Sequence, residues 1–308
     1  MPDVVGLGLA CVDYIFYITR APGFGYTVHT DQFEIQGGGP VGTALVTLAR
    51  LGASAGYVGK SSRDLLGQQR IALLAQEGVD VSQVVWDDKG RSGLAVVLVD
   101  AQSGERGFLG AADDWSPLAP QEIDRAYVTS ARYLHLDTVG TVAGEVAEWM
   151  HQAGRQVVLD GSAINEGDRP KPRHVALLDQ VDILIAARTF AWAVTGTRDD
   201  GQAARALLNG RTHTVVMTMG EEGALCVTPT QAFHMPAFRV PVVDTTGCGD
   251  VFHGAFIYGL LQAWDLRRTT RFANAAAALK ARRLGGRAGI PTLAEVEAFL
   301  AARTSPCP

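Results

Sequence analysis

The run Val242-Val243-Asp244-Thr245-Thr246-Gly247-Cys248-Gly249-Asp250-Val251-Phe252-His253-Gly254-Ala255 joins a β-like segment to a helical pattern through two glycines. Glycines at 247 and 249 let the backbone turn tightly, so the amides of residues 247 to 250 project from a helix N-terminus. Free N–H groups and the helix dipole attract anions there. A carboxylate inside an anion site repels its ligand unless it has a task. Asp250 suits a base that takes a proton from an attacking hydroxyl while the amides hold a phosphoryl group. It equally suits a helix-start residue favoured by the dipole. The residues alone leave both readings open.

Outward from this turn, from about residue 40, short apolar runs alternate with longer patterned segments, as in a parallel sheet flanked by helices. Strands are expected at Ala55–Val58, Tyr133–Leu136, Val157–Leu159, Ile183–Ile185 and Val215–Met219. Helical patterns cover Gly42–Leu51, Leu65–Glu77, Val142–Ala153, Gly201–Leu208 and Val251–Gln262. Such sheets bind ligands at the carboxyl ends of their strands. Tyr14–Ile35 and Gly93–Gly110 break the rhythm with aromatic and β-branched residues and turn signals. The expected architecture is therefore α/β: a single domain over 1–308, with a doubly wound, mostly parallel sheet. A small β-sheet lid is built from strands inserted at about 14–35 and 93–110.

Composition narrows the function classes. The 308 residues carry 27 lysines and arginines against 32 aspartates and glutamates, a formal charge of −5, which argues against a nucleic-acid partner. The longest stretch free of charged residues, 223 to 238, is interrupted by Pro229, Gln231, His234 and Pro236, so no membrane partner is expected. Four cysteines at 11, 226, 248 and 307 show no tight pairing, and the N-terminus lacks a basic leader; a cytoplasmic protein is expected. The 35 glycines cluster in turns, but two of the clusters fail as phosphate loops. Gly6-Leu7-Gly8 lacks the third glycine of a dinucleotide fingerprint, where Cys11 stands, and Gly59-Lys60-Ser61 lacks the first glycine of a P-loop, where Ser54 stands. No metallohydrolase or serine-hydrolase motif is present.

Asp244 through Phe256 resembles the C-terminal signature of the ribokinase-type (PfkB) carbohydrate kinases, and other segments agree with that family in order. Gly38-Gly39-Pro40-Val41-Gly42-Thr43-Ala44 through Ala49-Arg50-Leu51-Gly52 resembles the N-terminal signature, followed by Val58-Gly59, Asp64 and Gly67. Thr218-Met219-Gly220-Glu221-Glu222-Gly223-Ala224 is similar to the nucleotide segment, and Phe272-Ala273-Asn274-Ala275-Ala276 to the late helix near the adenine. The resemblance spans about residues 3 to 300 and implies an ATP-dependent sugar kinase whose lid pairs two subunits as a homodimer. It implies Asp250 as catalytic base and the amides of Gly247, Cys248 and Gly249 as an anion hole. Asp13, Gly38, Gly39 and Thr43 would meet the sugar, and Thr218, Gly220, Gly223 and Asn274 the nucleotide. ATP and Mg2+ are the implied cofactors, and Asp244 and Thr246 match positions that help bind a monovalent cation such as K+.

Two departures bear on the acceptor. Ala187-Arg188-Thr189-Phe190 replaces the family's N-x-x-E near magnesium, and Thr43 replaces a sugar-binding asparagine of ribokinases. The first makes the chain similar to the ketohexokinase-like and sulfofructose-kinase-like branches, and together the two point away from ribose, so a ketohexose-like acceptor is expected. A nucleoside kinase with a base pocket around Phe16, Tyr17, Phe24 and Tyr26, or a sugar-responsive binding protein without turnover, are the alternatives. Arg106 is a further candidate for an anionic substrate group, Asp137, Asp160 and Asn165 are candidates for the cleft, and His253 is expected to pack. Cys248, at a helix N-terminus, is expected to favour its thiolate.

Overall fold

The computed structural model of the chain describes all residues except Tyr26, Asp31, 138–141, Ala163, Glu166 and 304–308, and leaves the side chains of Arg173 and His174 undescribed. Its strands are β1 (Val4–Leu7), β2 (Cys11–Ile18), β3 (Phe33–Gly38), β4 (Ala55–Ser62), β5 (Asp80–Asp87), β6 (Leu94–Asp100), β7 (Arg106–Ala111), β8 (Tyr133–Leu136), β9 (Gln156–Gly161), β10 (Ile183–Ala187), β11 (Thr214–Thr218), β12 (Ala224–Val227) and β13 (Ala232–Met235). Its helices are α1 (Pro40–Arg50), α2 (Leu65–Ala75), α3 (Arg125–Ser130), α4 (Ala143–Gln152), α5 (Pro172–Val175), α6 (Arg188–Thr195), α7 (Asp200–Ala206), α8 (Cys248–Leu261), α9 (Leu266–Lys280) and α10 (Leu293–Ala301).

Nine strands form one sheet in the order β13-β12-β11-β10-β9-β8-β1-β4-β5. Pairing is parallel from β5 to β11, and the last two strands add antiparallel. Strands covered on both faces read as continuous apolar runs, and β1 and β8 are buried at every position. Alternate residues serve opposite faces: Val4, Tyr57, Val158 and Ile185 pack with α1, α8 and α9, while Val5, Val58, Leu159 and Leu184 pack with α4, α6 and α7. Each fully buried side chain of this size contributes about 1.5–3 kcal/mol.

Chain order reverses at β1, with β4 and β5 added on one side and β8 onward on the other. The crevice at such a switch point opens at the carboxyl ends of the strands. Helix α8 stands behind it, almost wholly buried. Its Gly254 admits α1 so closely that a Cβ there would lie 2.5 Å from the Ala44 carbonyl oxygen.

Over the crevice lies a second sheet, β3-β2-β6-β7, with its own small core of Ile15, Val97 and Val99. The expected lid is thus present, with a correction in its first half. Strand structure there is confined to β2 and β3, and the described residues between them, the Pro22-Gly23 turn included, form no strand. The second half is a hairpin, β6 and β7, close to the expected bounds. Two edges of the main sheet carried no clear sequence signal. Strand β5 mixes exposed polar residues with half-buried ones, and β12 and β13 lie within or just beyond a segment read for its glycines.

Candidate active site

A cavity of about 440 Å³ opens between the carboxyl edge of the main sheet and the lid. Its floor is the start of α8. Gly247 precedes that helix at φ 73°, the left-handed region that glycine enters freely, and a Cβ there would meet the Gly286 carbonyl oxygen at 2.9 Å. The amides of Gly247, Gly249 and Asp250 have no backbone partner among the described residues, whereas the Cys248 N–H donates to the Thr245 carbonyl oxygen at 3.2 Å. Of the loop amides, those of 247, 249 and 250 are thus without a backbone partner among the described residues, and that of Cys248 is not.

Asp250 lines the cavity in the first turn of α8. Burial pushes its pKa up to about 6, with the neighbouring Asp13 adding to the rise and Arg106, Arg287 and Lys280 opposing it. A carboxylate of that basicity ionises near neutral pH and is a better proton acceptor than an ordinary aspartate.

Asp13 faces the same cavity from β2 and is buried. Burial raises its pKa, against a hydrogen bond from Cys11 Sγ at 3.0 Å and the charge of Arg287. Gly38 must be glycine for this carboxylate to fit, because a Cβ would fall 2.1 Å from Asp13 Oδ2. Gly39 precedes α1, and Thr43, one turn into α1, is buried at the cavity wall.

Arg287 is a buried residue beneath the site that sequence reasoning did not single out. It is buried beneath this group, donating from Nη2 to the Gly38 carbonyl oxygen at 2.8 Å and from Nε to Thr43 Oγ1 at 3.4 Å. Burial brings its pKa down to about 10, opposed by Cys11, Asp13, Glu77 and Asp250. Two carboxylates crowded in one cavity repel each other, and a buried guanidinium beside them offsets that cost. The cluster Gly285-Gly286 with Gly289 was the available signal, since it marks a tight turn that returns the chain to the site.

The expected nucleotide residues divide. Thr218, at the end of β11, lines the cavity. Gly220, Gly223 and Asn274 do not. Gly220 and Gly223 shape the turn into β12, and Asn274 Nδ2 donates to the carbonyl oxygens of Met235 and Pro236 at 3.0 and 3.1 Å, holding the end of β13 against α9. Ala187 lines the cavity, but Phe190 is buried in the core and Arg188 is ion-paired with Glu222 at 2.6 Å. Thr189, whose Oγ1 is the segment's one side-chain oxygen, does not line the cavity, so 187–190 offers magnesium no side-chain oxygen there.

Asp160 and His253 line the cavity too, with His253 Nδ1 3.5 Å from Asp160 Oδ2. Burial drives the aspartate's pKa well up and the histidine's well down, which leaves both uncharged forms favoured. Asp137 instead accepts the Leu9 N–H at 2.7 Å, and Asn165 bonds Asp168 away from the cavity. From the lid, Arg106 and Phe108 reach the cavity, and Arg106 Nη1 donates to Thr245 Oγ1, closing lid onto anion loop. Phe16, Tyr17 and Phe24 do not line it, and Tyr26 lies outside the described residues.

The thiolate expected at Cys248 is also corrected. Burial pushes this thiol up, ahead of the opposing pull of Lys280 and Arg106.

The model of the pfkB family carbohydrate kinases matches residues 1–293. This chain belongs to that family. Among its relatives, the deoxyribokinase of Salmonella typhi is 28% identical over 97% of this chain and 98% of its own. Fructokinase-1 of Zea mays is 27% identical over 96% of this chain and 92% of its own. The ribokinase of Arabidopsis thaliana, solved with ribose and ATP, superposes with a TM-score of 0.81 at 25% identity, covering 97% of this chain and 98% of that one. The pfkB kinase described here is thus a phosphotransferase acting on a hydroxyl group. Among its described residues, no helix is long and apolar enough to cross a membrane.

Proposed function

We propose that this pfkB kinase transfers the γ-phosphoryl of ATP, entering as its magnesium complex, to a hydroxyl of a small ketose-like sugar. The observation that carries the reading is Asp250, set among open amides at the start of α8 and facing the same cavity as Asp13. Asp13 accepts hydrogen bonds from sugar hydroxyls and fixes the acceptor. Asp250 takes the proton of the attacking hydroxyl, and the amides of Gly247, Gly249 and Asp250 hold charge on the moving phosphoryl group. Arg106 and Phe108 bring the lid over the acceptor and exclude water. Because no magnesium ligand comes from 187–190, the protein's share of the work is positioning and charge, carried by its own amides and side chains.

The acceptor preference rests on Thr43. Arg287 Nε already donates to its hydroxyl oxygen, so Thr43 retains one O–H donor and one acceptor lone pair on a single atom, where an asparagine would offer a separate acceptor and two donors. A site lacking that amide has lost its means of choosing ribose. No described lid aromatic of the proposed base pocket lines the cavity, which favours a sugar over a nucleoside. Related kinases named for deoxyribose and fructose bracket the choice. Phe33, Ile35 and Leu109 expose apolar surface on the lid, at 46%, 39% and 70%, and support its pairing with a second copy.

A coupled ADP-release screen across ketohexoses, sulfonated and acidic sugars, ribose, deoxyribose and nucleosides tests the proposal. Highest kcat/KM on a ketohexose or ketose derivative is expected. Best turnover of ribose or a nucleoside would refute the reading of Thr43.

A further inference from the structure

Asp244, matched to a monovalent-cation position, does not present its oxygens to one here. Asp244 Oδ1 accepts from the Thr246 N–H at 2.8 Å and from Thr246 Oγ1 at 2.7 Å, and Oδ2 accepts from the Gly285 N–H at 2.7 Å. The carbonyl oxygen of Asp244 accepts from Lys280 Nζ at 2.9 Å. A bound K+ requires a ring of oxygens turned toward it, and each of these oxygens is turned toward a proton donor instead.

Lys280 is the last residue of α9, and its side chain is fully buried, a rare state for lysine outside a specific pairing. The groups that face it electrostatically are Cys248, Asp244 and Asp250, which favour its charge, and Arg106, which opposes it. Its ammonium therefore sits under the Asp244–Gly247 loop, within the field of the catalytic carboxylate and the anion hole. A strand-side loop bearing open amides needs a fixed conformation, and an ammonium tethered to a buried helix supplies one at no cost in ligand binding.

We propose that the Lys280 ammonium takes the place of the monovalent cation, fixing the Asp244–Gly247 loop from inside the chain and making turnover independent of K+. Lys280 is a positioning residue in this scheme, since it touches neither acceptor nor nucleotide. The proposal rests on the kinase reading of the same site, and its test separates the two.

Acceptor-dependent ADP release and thermal unfolding are measured in tetramethylammonium chloride, then with K+, NH4+ or Na+ replacing it at constant ionic strength, for the wild type, Lys280→Ala and Lys280→Met. Wild-type turnover is expected to change less than about twofold with the cation, and wild-type Tm not to respond specifically to K+. Lys280→Ala is expected to lose about tenfold or more in kcat in tetramethylammonium, with KM for ATP little changed. K+ or NH4+ should restore part of that loss and raise the variant's Tm. The bulkier Lys280→Met should be impaired without rescue, because its side chain fills the space a cation needs. Several-fold activation of the wild type by K+ overturns the proposal, and this arm needs no variant to fold. Wild-type turnover of Lys280→Ala in tetramethylammonium also overturns it, as does a folded Lys280→Ala that no cation restores. Absence of ADP release by the wild type under every condition would instead sink the kinase reading, and the K+ dependence of Tm would still decide the cation question.

Discussion

At the scale of single residues, the proposed chemistry turns on one carboxylate whose burial raises its pKa. With a pKa of about 6, Asp250 is protonated and inactive as a base below that pH and ionised above it. The pH profile of kcat/KM should therefore rise through an inflection near pH 6 to a plateau. Arg287 lowers that pKa by its charge, so Arg287→Met should move the inflection upward as well as reduce turnover. A purely structural loss would scale the profile down without shifting it. The place of Asp250 at a helix start was legible from sequence because a carboxylate beside two turn glycines is a local pattern. Arg287 was not, because its role depends on a contact with Gly38 across 249 positions of chain.

At the scale of elements, sequence reasoning placed the start of α8 after the glycine turn and overreached on its thiol. Dipole reasoning predicts a reactive Cys248 thiolate, but the dipole acts on a group that is also desolvated, and desolvation dominates. Alkylation of Cys248 at pH 7 is expected to be slower than that of a small free thiol, with the rate rising only at higher pH. Cys248→Ala should keep near wild-type turnover, because the residue's N–H is already bonded within the loop. Peptide mapping after timed alkylation checks the first point, and kinetics of the variant check the second. The packing of α8 on α1 gives a separate prediction. Gly254→Val places side-chain atoms against the Ala44 carbonyl and Thr47, and should destabilise the fold by about 1–3 kcal/mol in urea titration. The central strands were readable as apolar runs, whereas β5 was not, because an edge strand half in water carries a mixed pattern.

At the scale of the whole molecule, the lid and the main sheet form one cavity, and the proposed pairing of subunits uses the surface of the lid away from that cavity. If the exposed Phe33 and Leu109 pair two subunits, Leu109→Asp should convert a dimer to a monomer in sedimentation velocity and weaken acceptor binding, since the lid lines the cavity. A wild type that sediments as a monomer at all concentrations would remove the pairing. The alternation of strands and helices revealed the layered architecture because periodicity is local. Arg106 was already a candidate for the acceptor, but that Phe108 reaches the cavity was not legible, since it does so through the register of β6 with β7. The central claim, that Asp250 is the base of a sugar kinase, is tested most directly by acceptor-dependent ADP release from the wild type and Asp250→Asn side by side, with folding and ATP binding verified for both. Saturable, sugar-dependent ADP formation that falls by about 10² to 10⁴ in kcat in Asp250→Asn, with ATP binding retained, is the predicted result. Undiminished sugar-dependent turnover in Asp250→Asn would contradict it.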